Sequence, residues 1–228
     1  MSMTDASPIT VEIWSDIACP WCFIGKRKFE QGRASFEAGG EQVPVTVEYR
    51  SFELSPDTPA DFQGSTVEFL AKHKRMPEAQ VQQMLQHVTG IASEVGLHYD
   101  FDSVVHVNTL RAHQVLHVAK GVGKQLEVAE ALFSAYFEQG QNLSDPEVLA
   151  DIAASAGVDR QQVLDALASE VYLPAVQEDI AQAQRYGIRG VPFAVIDGRY
   201  GVSGAQPAEV FAQALAQAAQ DRLGGVEA

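Results

Sequence analysis

The chain is poor in cysteine, in basic residues and in long apolar runs. It has two cysteines in 228 residues, and both fall in one tetrapeptide, Cys19-Pro20-Trp21-Cys22. With no other cysteine available, a framework of structural disulfides is excluded, and the pattern suits a reducing compartment, where disulfides are catalytic or sensory. Lys and Arg number 16 against 30 Asp and Glu, a formal charge of -14. Nucleic acid and anionic membrane surfaces would repel such a chain. No segment reaches 18 uninterrupted apolar residues, and Met1 to Pro8 offers neither a basic stretch nor an apolar core for export. A soluble cytoplasmic protein with no membrane or nucleic-acid partner is the expectation.

What is present begins with the tetrapeptide. Ile9 to Ser15 (ITVEIWS) is β-branched and mostly apolar, as in a buried strand, and Ala18 to Ala38 follows with helical character, closed by Gly39-Gly40. Proline suits the first helical position, so Cys19 falls near the N-cap. There, free backbone N–H groups and the positive end of the helix dipole favour an anion. Cys19 is therefore expected to be the exposed nucleophile. Cys22 lies one turn further along the same face, within disulfide reach, and is expected to be the less accessible resolving thiol. Two other readings compete. A zinc site needs about four ligands, and the nearest histidine, His73, lies about fifty residues away, outside zinc-finger spacing. A purely structural bridge over so short a loop would remove little unfolded-state entropy.

Val43 to Phe52 alternates Val43, Val45, Val47 and Tyr49 on one face, a second strand ended by Pro56 and Pro59. The opening unit is βαβ, hence parallel with a right-handed crossover. From about Ser65 to Gly187 the pattern is helical almost throughout, with a capping box at Ser144-Asp145-Pro146-Glu147. Strand character returns at Phe193 to Ile196, followed by the Asp197-Gly198 turn signal, Tyr200 to Ser203, and a last amphipathic helix after Pro207, with a loose tail from Gly224-Gly225. The fold class expected is α/β: residues 9–60 and 188–223 form one domain, and residues 65–187 an all-helical insertion between the βαβ unit and a C-terminal ββα unit.

This order resembles a thioredoxin fold of the DsbA-like superfamily, most closely its cytoplasmic FrnE-like branch. The residues that carry the resemblance are Cys19 to Cys22, Asn108-Thr109 with Ala112-His113, Gly190-Val191-Pro192-Phe193, and Ser203-Gly204-Ala205-Gln206. It implies a cis peptide before Pro192, facing the cysteines, with the Val191 backbone turned outward to pair with an extended substrate. Pro20, Trp21, Val191 and Pro192 are the implied substrate-binding residues, and Cys19 and Cys22 the catalytic pair, with no metal. The implied activity is thiol-disulfide exchange that reduces, forms or isomerises disulfides in a protein or small-molecule thiol substrate.

Related kappa-class glutathione transferases and 2-hydroxychromene-2-carboxylate isomerases carry serine where this chain has Cys19. A serine cannot form a disulfide, so two cysteines favour redox chemistry, while the shared insertion keeps glutathione as a candidate co-substrate. A glutathione-dependent transferase or isomerase is the first alternative, and a non-enzymatic thioredoxin-fold binding module the second. Asp16 is read either as a proton holder near the thiols or as a helix-dipole partner. His113 and His117 are read as core or surface residues, and Arg189 as a solvated charge.

Overall fold

The computed structural model describes residues 7–40, 43–59, 62 and 64–224. The ends at 1–6 and 225–228 lie outside that description, so the readings of the extreme N-terminus and of the tail beyond Gly224 are not addressed by it. β1 (Ile9–Ser15) alternates its faces: Ile9, Val11 and Ile13 join the main core, while Trp14 belongs to a smaller cluster with Ala183, Ile188 and Val195. A strand buried on both sides must lie inside a sheet, and β1 does. It pairs in parallel with β2 (Val45–Ser51) and antiparallel with β5 (Phe193–Ile196), which pairs with β6 (Tyr200–Ser203), giving the order β2-β1-β5-β6. β2 is shorter than the alternation suggests. Pro44 has no N–H for the ladder, and its carbonyl instead accepts from Ile9 at 2.8 Å.

α1 (Pro20–Ala38) crosses from β1 to β2 and packs against α9 (Ala208–Gly224) on one face of the sheet. The helix starts two residues later than its pattern suggests because Cys19 N–H donates to the Asp16 carbonyl at 3.0 Å, closing a turn first. Gly32 is required here. A Cβ would stand 2.4 Å from the Ala208 carbonyl, so the α1–α9 approach allows no side chain. The β5–β6 turn is as its residues dictate, with Asp197 and Gly198 both at positive φ (56° and 66°).

Between β2 and β5 run α2 (Thr66–Lys74), α3 (Glu78–Glu94), α4 (Leu110–Gly121), α5 (Gln125–Phe137), α6 (Pro146–Ser155), α7 (Arg160–Ser169) and α8 (Leu173–Arg185). The stretch is not purely helical: β3 (Gly64–Ser65) and β4 (Val105–His106) form a two-residue antiparallel ribbon. The β-branched residues Val104, Val105 and Val107 disfavour helix there. Nor is the stretch remote from the sheet. α8 packs on β2, and Gln125 of α5 closes that edge by accepting from Tyr49 N–H and donating to Tyr49 C=O, both at 2.9 Å, as a neighbouring strand would.

Candidate active site

Cys19 caps α1 with extended backbone (φ -93°, ψ 110°) and makes no side-chain cap bond to the helix. Its thiol instead donates to the Val191 carbonyl at 3.5 Å, 172 residues away. The Val191-Pro192 peptide is cis. The proline loop is held from behind: Gly204 N–H donates to the Pro192 carbonyl at 2.8 Å, and Lys28 of α1 reaches the Ala205 carbonyl at 3.2 Å. Thus the Ser203 to Gln206 motif supports the loop. Gly25 fixes the helix-to-loop spacing, since a Cβ there would lie 2.8 Å from Pro192 Cγ.

One expectation is corrected. Cys19 is not exposed; it retains only 3% of its surface, close to the 2% of Cys22, because the proline loop lies against its sulfur. Both are free thiols. What separates them is their surroundings. Both belong to the main core cluster, but Cys22 lies one turn further into the helix, and burial pushes its thiol well above the ordinary value. Cys19's hydrogen bond and charge push the same way, against weaker opposing effects from the Ser15 hydroxyl and the Asp16 backbone. Pro20 is half-buried, and its carbonyl accepts from Tyr99 Oη at 2.7 Å. Trp21 stands outward, 37% exposed.

Asp16 does more than its position at a helix start suggests. It is buried; one carboxylate oxygen accepts from Leu54 N–H at 2.7 Å, and the other accepts from Ala18 N–H at 3.2 Å and lies 3.5 Å from His113 Nε2. Burial pushes its carboxyl up, but the His113 ring and the Leu54 amide outweigh this and hold it below the usual carboxylate value. Half-buried Glu53 stands near the same group; burial and the Asp16 charge push it up against His113. His117, one turn along α4, meets a different carboxylate, Asp179, at 3.0 Å. Asn108 caps the start of α4, accepting from Leu110 N–H and donating to the Thr58 carbonyl. Tyr99, Leu54 and Glu53 carry no motif and no periodic signal, so the sequence does not single them out. Among the described residues, no group of three or more His, Cys, Asp or Glu could hold a metal ion, and no helix is long and apolar enough to cross a membrane.

A thiol at a helix N-terminus, touching a carbonyl beside a cis-proline, with a second thiol one turn inward, can form and release a mixed disulfide without unfolding. Residues 10–216 match the model of the DSBA-like thioredoxin domain. The chain is 39% identical to a probable DsbA oxidoreductase, SCO1869 of Streptomyces coelicolor, with 92% of this chain and 89% of that one covered at a TM-score of 0.86. It is 29% identical over 209 residues to the uncharacterized protein YwbO of Bacillus subtilis (strain 168), spanning 91% of this chain and 96% of that protein. The cytosolic disulfide reductase DsbM of Pseudomonas aeruginosa, solved with GSH, shares the fold at 17% identity and a TM-score of 0.64, covering 92% of this chain and 98% of that one. The chain belongs to the DSBA-like thioredoxin family of thiol-disulfide oxidoreductases and their relatives.

Proposed function

We propose that the protein is a cytoplasmic thiol-disulfide oxidoreductase of the FrnE-like kind, with Cys19 as nucleophile and Cys22 as resolving thiol. The observation that carries this reading is the asymmetry of the pair: Cys19 at the helix start against the Val191 carbonyl, Cys22 one turn inward with its thiol pushed up. In the reducing direction, the Cys19 thiolate attacks one sulfur of a substrate disulfide. That S–S bond breaks, a mixed disulfide forms, and the departing thiolate takes up a proton. Cys22 then gives up its proton and attacks Cys19 Sγ, which releases the second substrate thiol. The substrate has gained two electrons, and the cysteines, now a disulfide, have lost them. Glutathione is the candidate thiol that restores the pair, and run backwards the same steps oxidise a substrate dithiol.

Cys22→Ser should accumulate a mixed disulfide on Cys19 when treated with oxidised glutathione, seen as an intact-mass adduct. Cys19→Ser should accumulate none, because burial raises the Cys22 thiol and keeps it protonated. Absence of an adduct from both variants would sink the redox reading. Glutathione conjugation or isomerase turnover that survives in Cys22→Ser would favour the transferase alternative, since only dithiol chemistry needs Cys22.

A further inference from the structure

Beside the thiols, a groove of about 400 Å³ runs along the proline loop, lined by Gly187, Arg189, Gly190, Val191, Pro192 and Ser203 among others. Its floor is bare: a Cβ built on Gly187 or on Gly190 meets no atom within 4 Å. Val191 lends the groove its polar edge, with its carbonyl 3.5 Å from Cys19 Sγ and its N–H without a partner among the described residues. The charge in the groove is Arg189, exposed and two residues before Val191. The neighbouring arginines are taken up. Arg185 is held by Glu178 at 2.5 Å, and Arg199 lies 3.4 Å from Asp221. Arg189 forms no ion pair or side-chain hydrogen bond among the described residues, in a chain whose formal charge is -14.

Deepening the redox reading and resting on it, we infer that Arg189 makes this groove selective for disulfides flanked by a carboxylate. An extended segment linked to Cys19 lies along Val191, and successive residues of an extended chain advance about 3.3 Å. A side chain about two residues from the substrate cysteine therefore passes Arg189, whose planar fork suits a carboxylate. The chain's net negative charge disfavours such a substrate elsewhere, so Arg189, the one charged residue lining the groove, sets which side of the cysteine carries the acid.

The test uses symmetric disulfides of pentapeptides with neutral ends and a central cysteine, carrying Glu, Gln or Lys two residues before or two residues after it. Reduction is driven by dithiothreitol and read as kcat/KM. For the wild type, Glu on one side should exceed Gln about threefold and Lys about tenfold, mostly through KM, as expected for a partly exposed charge pair. The preference should shrink as salt rises. Arg189→Glu should invert the order, and Arg189→Gln should flatten it. Only the ratio between peptides within one protein is compared, so damage common to all substrates cancels. Equal rates for the three peptides on both sides, or an order unmoved by Arg189→Glu, would overturn the inference. Fluorescent versions with serine in place of cysteine supply a binding arm that needs no redox chemistry. If they bind in the Glu > Gln > Lys order while no disulfide is turned over, including neutral bis(2-hydroxyethyl) disulfide, the proposed function fails and the selectivity of the groove stands.

Discussion

Among the described residues two carboxylates are buried, Asp16 and Asp179, each only 2% exposed and each facing a histidine of α4, His113 and His117, one helical turn apart. The pairs look alike and are built differently. Asp179 accepts from Ser51 N–H and Arg50 Nη1, both at 3.0 Å, and lies 3.0 Å from His117 Nε2, while Trp14 Nε1 donates to its backbone carbonyl at 2.9 Å. It ties α4, α8, β1 and β2 at one point. Asp16 is looser: its contact with His113 is 3.5 Å, neither ring nitrogen of His113 has a hydrogen-bond partner, and the nearby Ser15 hydroxyl also has none. Buried polar groups are normally satisfied, and the Asp16 pair carries unsatisfied ones that the Asp179 pair does not. One pair holds the fold together, and the other sets the position of Cys19 through the Asp16 carbonyl and the Leu54 loop.

Truncating each carboxylate should separate these roles. Asp179→Ala leaves the buried Ser51 amide and His117 without their carboxylate, while Arg50 keeps Glu12 and Glu48, and should cost about 3 kcal/mol, read by urea unfolding at pH 7. Folded Asp179→Ala should form the mixed disulfide with oxidised glutathione at the wild-type rate. Asp16→Ala frees two amides and should cost about 1–3 kcal/mol. It should also slow mixed-disulfide formation at Cys19 at least tenfold, because the turn that places the sulfur loses its anchor. The reverse pattern, a catalytic loss confined to Asp179→Ala, would erase the distinction drawn here.

How much of this is legible in the sequence differs between the two regions for the same reason. The turn around Asp16 is local: an apolar β-branched run, a proline at a helix start and two cysteines three apart announce strand, turn and helix within about fifteen residues. The Asp197-Gly198 hairpin is legible likewise. The Asp179 knot is not, because its amide partner Ser51 is 128 residues away and neither residue sits in a motif. His113 and His117 read as ordinary core or surface positions because their carboxylates come from other elements. The burial of Cys19 was equally hidden, since the carbonyl that covers it belongs to Val191. β3 and β4, at two residues each, are too short to show a period.

Acid should expose the comparison a second way. For both aspartates burial pushes the carboxyl up, yet the histidine and amide contacts win and hold it low. A carboxylate depressed in the folded state contributes stability above its unfolded value, 3.8 here, and loses it as pH falls through the lower folded value. Titration of these two carboxylates should therefore not weaken the protein between pH 7 and 4.

The third buried histidine of this region, His106, supplies the control and the smallest effect. It stacks on Phe69 with ring centroids 3.5 Å apart, and its Nε2 has no hydrogen-bond partner. It has no carboxylate in contact, so burial dominates and pushes it down from 6.5 to about 4, with Asp16's charge opposing and His73 adding to the fall. The unfolded chain therefore binds a proton between those values that the folded chain refuses. Stability from this residue is complete above pH 6.5 and drains away as pH falls towards 4, by about 2 kcal/mol once the ring's residual contact with solvent is allowed for. Urea unfolding at pH 7 and at pH 4.5 should show that drop in the wild type, retained in His117→Gln and absent in His106→Leu. A drop that persists in His106→Leu but vanishes in His117→Gln would mean that the carboxylate-bound histidine, and not the unpaired one, carries the acid sensitivity.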